Sequence, residues 1–245
     1  MKKHTKLLMA TAAICLGLTG IASAAVIAQE DFTYTPDGTG LLGEDGGSGF
    51  DTAYTASGTG TSITVTTGVA TTTAAHNGNF RSLTNNLGSS GELWVSIDMG
   101  DSAGTTYGGL SFFNGTAEPL YIGMQGGTWR LALPSTTGPD SGVSFSGFKT
   151  GVAKITLGAG ATGTVSLWVG DNAIDVVDVS GDADTTVTGF ALTGADKIRL
   201  QGGAGISFDN LIMGDTYQDV GAVPEPATMS LLALGGIAML RRRKK

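Results

Sequence analysis

The sequence has 245 residues and a formal net charge of −7, with 40 glycines, one cysteine and few aromatic residues. Eight of its 14 lysines and arginines lie in the first six and last five residues, so the region between has six cations against 21 carboxylates, a formal charge of −15. Binding to a phosphate backbone needs clustered cations, and this composition therefore excludes nucleic acid as a partner.

The N-terminal segment has the three regions of a secretory signal peptide: a basic start, an apolar run over residues 7–21, and small residues before the mature chain. We predict export through the Sec translocase and cleavage by signal peptidase between Ala24 and Ala25. The alternative, a permanent membrane anchor, is disfavoured because the apolar run is short and a cleavage site follows it directly. Cys15 leaves with the signal, so the mature chain has no disulfide and no thiolate.

Residues 25–222 are sufficient for one domain with a sizeable core. Apolar and polar residues alternate in about ten short segments between glycine-bearing turns, which is the pattern of β-strands. In "ELWVSIDM", for example, Leu93, Val95 and Ile97 share one face. Neither a helical stripe nor a fixed repeat interrupts the pattern. The sequence predicts an all-β domain, an antiparallel β-sandwich of the jelly-roll type.

Three aromatic side chains point away from the aliphatic rows of their own predicted strands: Trp94, Tyr121 and Trp168. Sugar rings stack on flat, exposed aromatic rings, so these three residues define a candidate carbohydrate platform. The alternative is that the sheet is buried on both faces at these positions, which would turn the rings into packing groups.

Two motifs of catalytic and cofactor-binding proteins occur in the body. Residues 100–104, "GDSAG", fit the G-x-S-x-G motif of serine hydrolases, but a turn and a strand follow Ser102 where that motif needs a helix. The sole histidine of the mature chain, His76, lies in a turn-like stretch, and we predict no catalytic site. Residues 38–43 and 158–163 fit G-x-G-x-x-G, but neither opens a helix, so we predict no dinucleotide cofactor.

Metal binding rests on acidic residues. One stretch carries five aspartates, whose oxygens suit calcium, but it lacks the sixth-position glycine and the closing glutamate of an EF-hand. We therefore keep two alternatives, a structural calcium site and a solvated acidic hairpin. Asp209 and Asn210 form a further candidate pair for a metal or a sugar. The five aspartates are Asp171, Asp175, Asp178, Asp182 and Asp184.

The C-terminal segment, residues 223–245, has three parts in a fixed order. A Pro-Glu-Pro turn comes first, 14 apolar residues follow, and five cations end the chain. This arrangement resembles the PEP-CTERM sorting signal of Gram-negative bacteria. The resemblance implies that exosortase recognises and processes the segment during export to the cell surface or the extracellular matrix. The residues that carry it are Val223, Pro224, Glu225, Pro226, Arg241, Arg242 and Arg243.

Physical arguments agree with such a role. The two prolines hold the peptide extended and lack amide donors, so it suits a protease groove. The terminal cations stay on the cytoplasmic side of the membrane. A 14-residue helix is about 21 Å long, short of the ~30 Å hydrocarbon core. We predict a short transmembrane helix that inserts transiently in the inner membrane, with an ordinary single-pass anchor as the alternative.

The body resembles the LamG-like, concanavalin A-like sandwiches in three stretches: "FTYTPDGTGLLGEDGGSGF", "FFNGTAEPLYIGMQGG" and "ISFDNLIMGDTYQDV". The resemblance implies binding and adhesion, and no catalytic residue carries over. We therefore predict an exported structural or adhesive protein of the cell surface or matrix, with exopolysaccharide as a further partner. The alternative function is a lectin-like carbohydrate-binding module.

Overall fold

The fold was obtained as a computed structural model, which describes residues 25–57, 63–74, 77–88, 90–105, 107–133, 138–158, 160, 162–170 and 177–221. This part of the chain forms fifteen strands and one short helix. The predicted signal peptide (residues 1–24) and C-terminal membrane helix lie outside it. Among the described residues, no helix has the length and apolarity needed to cross a membrane.

The strand bounds follow the alternating segments of the sequence. They are β1 Val26–Glu30, β2 Thr55–Ala56, β3 Ile63–Thr66, β4 Val69–Thr72, β5 Asn77–Ser82, β6 Gly91–Asp101, β7 Tyr107–Asn114, β8 Ala117–Gln125, β9 Thr128–Ala132, β10 Asp140–Ser144, β11 Gly147–Leu157, β12 Gly163–Val169, β13 Thr185–Phe190, β14 Lys197–Gly202 and β15 Ile206–Gly214, and the helix α1 is Tyr217–Val220.

The strands form two antiparallel sheets. Sheet A has the order β13-β12-β11-β6-β15-β4-β3, with β1 paired to β15, and sheet B has the order β10-β9-β8-β7-β14-β5-β2. Each sheet mixes strands from both halves of the chain, since β6 pairs with β11 and β15 and β7 pairs with β14. The prediction of an all-β antiparallel sandwich is confirmed.

The core lies between the two sheets, as the period-2 pattern of the sequence requires. From sheet A, Leu93, Val95 and Ile97 of β6 are each 1% exposed. From sheet B, Trp129 of β9 and Leu200 of β14 are fully buried in the same cluster. The alternation that predicted these strands therefore also predicted which of their faces is the inner one.

A buried ion pair joins the sheets beside this core. Glu30, on β1 of sheet A, meets Arg81, on β5 of sheet B, with 2.6 Å between Oε2 and Nη1. The side chains are 0% and 2% exposed. The guanidinium lies 4.5 Å from the ring centroid of Phe50 and 4.7 Å from that of Tyr54. Two aromatic faces and one carboxylate therefore replace the water that Arg81 loses on burial.

The same pair anchors the connection between β1 and β2. Glu30 accepts hydrogen bonds from the backbone N–H of Phe32 and from the hydroxyl of Tyr34, which is 2.7 Å away. Arg81 donates through Nε to the carbonyl oxygen of Thr52 at 3.0 Å. Both ends of the long segment 31–54 are thus tied to one buried charge pair.

Removing one partner of this pair should be costly. Arg81→Met leaves the Glu30 carboxylate buried without a counter-charge, and we expect a loss of about 3–5 kcal/mol in the free energy of unfolding. Urea denaturation of the purified chain at neutral pH measures it. The double variant Glu30→Gln/Arg81→Met removes both charges and should recover part of the loss. A single variant within about 1 kcal/mol of the wild type would contradict this role.

Candidate functional site

Trp94 and Trp168 lie together on the outer face of sheet A. Their ring centroids are 6.2 Å apart and the planes differ by 18°. Val152 of β11 stands between them in the sheet, paired with Trp168. Trp94 is only 8% exposed, whereas Trp168 is partly exposed. The structure therefore brings together two of the three aromatic residues of the predicted platform, but it buries one of them.

The helix α1 and the segment 177–181 cover these tryptophans. Tyr217 of α1 lies 5.4 Å from Trp94, and its hydroxyl donates to the carbonyl oxygen of Val177 at 2.6 Å. The indole N–H of Trp168 donates to the carbonyl oxygen of Gly181 at 3.1 Å. The tryptophans thus belong to a second small apolar cluster outside the sandwich. The alternative stated from the sequence, a sheet buried on both faces, describes this region.

Tyr121 belongs to the other sheet. It lies on the outer face of β8, 4% exposed, and its ring stacks on that of Tyr107 at 5.3 Å and 7°. Its hydroxyl donates to the carbonyl oxygen of Met124 at 2.7 Å and accepts from the N–H of Gly108. Burial raises the pKa of the Tyr121 hydroxyl well above its ordinary value. Tyr121 is thus a buried ring, held by two hydrogen bonds, against which the more exposed Tyr107 packs.

Two facing glycines allow Tyr121 to lie flat on the sheet. Gly109 and Gly123 pair directly across β7 and β8. A Cβ atom at Gly109 would lie 3.0 Å from Cζ of Tyr121, and one at Gly123 would lie 2.9 Å from its hydroxyl oxygen. Such a Cβ atom would come still closer to the backbone of the paired strand, so a side chain at either position would disturb both the strand pairing and the ring. Nothing in the sequence pattern distinguished these two glycines from the others of a glycine-rich chain.

Polar groups surround the tyrosine stack. Glu118 accepts from Arg199 at 2.9 Å through Oε2 and from the hydroxyl of Ser111 through Oε1. Gln201 donates through Nε2 to the hydroxyl of Tyr107. These side chains come from β7, β8 and β14, so strand pairing alone brings them together. The result is a connected network on the outer side of sheet B.

Cations and aromatic rings adjoin this network. Phe80 and Phe113 meet edge to face at 4.9 Å and 89°. Nζ of Lys197 lies 5.1 Å from the Phe80 centroid, and the guanidinium carbon of Arg199 lies 4.7 Å from that of Phe113. We call the outer surface of sheet B around this group and the tyrosine stack the sheet B face. It is defined by Phe80, Tyr107, Arg130, Lys197, Arg199 and Gln201.

The sheet B face combines aromatic, polar and charged groups. It presents a partly exposed tyrosine, a partly exposed phenylalanine and three cations. Its two carboxylates are each held by a guanidinium, Glu118 by Arg199 and Asp140 by Arg130 at 2.6 Å. Hydrogen bonds from the N–H of Gly142 and from Thr128, together with the charge of Arg130, lower the pKa of Asp140.

Asp209 and Asn210 lie on the outer face of sheet A, away from the sheet B face. Asp209 stands opposite Asp98, which is 3% exposed and accepts hydrogen bonds from Thr150 and from Nδ2 of Asn210. Burial raises the pKa of Asp98. Burial, together with the nearby charges of Asp98 and Asp31, raises the pKa of Asp209 to about 6. Asp209 is thus half-buried and stands beside a second acid.

The aspartate-rich stretch is partly described. Asp178 accepts from the N–H of Ser180 within a local turn, and Asp184 accepts from the N–H of Val169 at the end of β12. Both carboxylates thus bind the backbone. Asp171 and Asp175 lie outside the described residues. Within the residues that the structure describes, no cluster of three or more acidic, histidine or cysteine side chains could hold a metal ion. A structural calcium remains a prediction.

The catalytic and dinucleotide motifs occupy turns and strands. Ser102 lies in the turn after β6, where its hydroxyl donates to the carbonyl oxygen of Gly205 at 3.2 Å. His76 lies outside the described residues. Gly163 begins β12 and Gly40 bridges to Thr64, so neither glycine motif opens a helix.

Residues 222–244 match the PEP-CTERM protein-sorting motif, which confirms the resemblance stated from the sequence. The motif implies processing by exosortase and an exported, surface-sorted protein of Gram-negative bacteria. These residues lie outside the described ones, and the separate roles of the prolines, Glu225 and the arginines stay predictions. The same is true of cleavage between Ala24 and Ala25.

Several solved structures are similar to the chain. Similarity to an endo-β-1,4-glucuronan lyase from the fungus Trichoderma reesei covers 76% of this chain and 96% of that one, at 14% identity and TM-score 0.46. Similarity to an endo-1,3-β-glucanase from Streptomyces sioyaensis covers 80% of this chain and 98% of that one, at 13% identity and TM-score 0.43. Similarity to domain 4 of the arabinanase AbnA from Geobacillus stearothermophilus, in complex with arabinotriose, covers 80% of this chain and 97% of that one, at 16% identity and TM-score 0.41. Such likenesses carry no argument about activity or ligand. No curated protein matches the sequence.

The Asp98–Asp209 pair should make stability depend on pH. Because the folded state raises the pKa of Asp209 from 3.8 to about 6, the contribution of this one group to stability is complete below 3.8 and is lost as the pH rises through about 6. Asp209→Asn should therefore be more stable than the wild type at pH 8, on the order of 1 kcal/mol, and equal to it at pH 4. Thermal unfolding across this range measures the difference.

The exposed Asp178 provides a matched control for this prediction. Hydrogen bonds from Ser180 lower its pKa, so Asp178→Asn should give no gain at pH 8. A difference between Asp209→Asn and the wild type that stays constant from pH 4 to pH 8 would contradict the electrostatic explanation.

Proposed function

We propose that this protein is an exported, non-catalytic component of the cell surface or extracellular matrix that adheres to polysaccharide through the sheet B face. The match of residues 222–244 to the PEP-CTERM motif carries the sorting part of the proposal. The arrangement of Tyr107, Phe80 and the polar groups on sheet B carries the adhesive part. The two parts require different segments of the chain and can be tested separately.

The proposed route uses both ends of the sequence. The Sec translocase exports the chain and signal peptidase removes residues 1–24. The apolar residues after Pro226 then insert transiently in the inner membrane, with Arg241, Arg242 and Arg243 on the cytoplasmic side. Exosortase engages the Pro-Glu-Pro segment, and the domain passes to the cell surface or matrix.

The polysaccharide part rests on the shape and chemistry of the sheet B face. Gly109 and Gly123 hold the tyrosine stack close to the sheet, which leaves Tyr107 partly exposed. Phe80 offers a second apolar ring, and the partly exposed Lys197 offers a hydrogen-bond donor to sugar hydroxyls. Sites for carbohydrate combine such rings with a few fixed polar groups. The proposed adhesive domain is thus a lectin-like module.

Absence of catalysis is part of the proposal because the carboxylates of this face are already engaged. Both oxygens of Glu118 accept hydrogen bonds, one from Arg199 and one from Ser111. Asp140 is bound by Arg130. Retaining and inverting glycosidases both need two carboxyl groups available beside the scissile bond.

The sorting part predicts the fate of a motif variant. Replacing Pro224, Glu225 and Pro226 by alanine should leave the domain folded and exported but held at the inner membrane with its tail attached. Cell fractionation and mass spectrometry of the C-terminus measure this. Surface delivery of the triple variant with a shortened C-terminus would show that the segment is a plain anchor or is cut without recognition.

The adhesive part predicts a loss of glycan affinity in Tyr107→Ala. One aromatic contact contributes about 1 kcal/mol, so we expect roughly a fivefold weaker Kd for a retained polysaccharide in affinity gel electrophoresis. Trp168→Ala, which removes an aromatic ring from the opposite face, is the matched control and should keep full retardation. Equal loss in both variants, or no polysaccharide that retards the wild type, would refute the proposed face.

A further inference from the structure

We infer that the sheet B face takes an anionic polysaccharide, in which uronate carboxylates meet Lys197 and Arg199 while the sugar rings rest on Phe80. This inference rests on the proposed function and names its ligand class. It follows from the distribution of charge over the two outer faces of the sandwich.

The cations of the domain are few and unevenly placed. Of the six that lie between the signal peptide and the basic tail, Arg81 is buried in its ion pair and two lie on β11 of sheet A. The remaining three are Arg130, Lys197 and Arg199, all on sheet B. The face offers Glu118 and Asp140 against them, with Asp196 at its rim. In a region whose formal charge is −15, it is thus close to neutral or slightly positive.

The outer face of sheet A has the opposite character. Asp98 and Asp209 stand directly opposite one another there, and Glu92 pairs with Lys154 at 2.7 Å. Charges separated by more than a Debye length, about 8 Å at physiological ionic strength, are largely screened. An anionic polymer therefore responds to the local charge of each face, which is unfavourable on sheet A and close to neutral on sheet B, where Lys197 is the cation without an ion pair among the described residues.

Lys197 and Arg199 are arranged to share one carboxylate-bearing polymer. They occupy the same face of β14 two residues apart, a spacing of about 7 Å. Within the described residues Lys197 has no ion pair, so its charge is available to a ligand. Arg199 is ion-paired with Glu118 at 2.9 Å and its side chain is 16% exposed, so it adds a second cation beside Lys197. Both side chains lie over the Phe80–Phe113 pair, which fixes their charged ends beside an apolar ring.

The combination distinguishes an acidic sugar from other ligands. A neutral sugar would use Phe80 and Tyr107 but would leave Lys197 without a partner. An anionic peptide would use the cations but has no ring face to place on Phe80. A uronate offers a carboxylate, an apolar ring face and hydroxyl groups in one unit, and it meets all three features of the sheet B face.

Binding of the full-length chain to polygalacturonate tests this inference, with the fully methyl-esterified form of the same polymer as the neutral counterpart. We expect retardation in affinity gels by the acidic form, weakened by added salt, and little by the ester. Lys197→Gln should raise the apparent Kd about fivefold. Lys154→Gln makes the same charge change on sheet A and should leave the Kd unchanged. Circular dichroism checks that both variants are folded.

The outcomes separate this inference from the proposed function. Equal binding of the acid and its ester would overturn the anionic class while supporting a glycan-binding face. Equal binding of polyglutamate would show that only charge is recognised, and equal losses in Lys197→Gln and Lys154→Gln would show that the site is misplaced. Failure to bind any polysaccharide, neutral ones included, would instead refute the proposed function.

Discussion

The ion pair between Glu30 and Arg81 is the constraint around which the sandwich is closed. A buried guanidinium is tolerated only where its donors are satisfied, so β1 and β5 must approach until the carboxylate, the Thr52 carbonyl and two aromatic rings surround it. Segment 31–54 is held by the same contacts. Within that segment, residues 38–41 pair with β3 and cover the outer edge of sheet A. Closure of the core and protection of an edge strand thus share one cause.

The two outer faces of the sandwich serve different ends. On sheet A, α1 and the segment 177–181 bury Trp94 against Val152 and Val220, so its ring is part of an apolar cluster and not of an exposed surface. On sheet B, Gly109 and Gly123 let Tyr121 settle into the sheet and support Tyr107 from below. Similar residue types therefore end in opposite roles. The difference lies in what covers them: α1 covers Trp94, whereas Tyr121 is covered by the ring of Tyr107, which is itself partly exposed.

Alternation in the sequence was sufficient to predict the strands and the inner rows, because Leu93, Val95 and Ile97 obey a local period. It also placed Trp94 and Tyr121 on outer faces correctly. It did not show that a four-residue helix, too short to carry a periodic signal, would cover Trp94. Nor did it place Tyr121 and Trp94 on different sheets, since sheet membership depends on pairings between strands far apart in the chain.

The polar groups were the least predictable part for the same reason. Glu30 and Arg81 are 51 residues apart, and Glu118 and Arg199 are 81 apart, so neither pair has a local pattern. The position of α1 determines on which side of the sandwich the described chain ends. The chain leaves the described residues at Gly221, directly after α1, and α1 packs on the outer face of sheet A. The last described residue therefore lies on the side of the sandwich opposite the sheet B face. A polymer bound to Lys197 would contact the domain away from α1, so neither α1 nor the apolar cluster beneath it would obstruct the polymer.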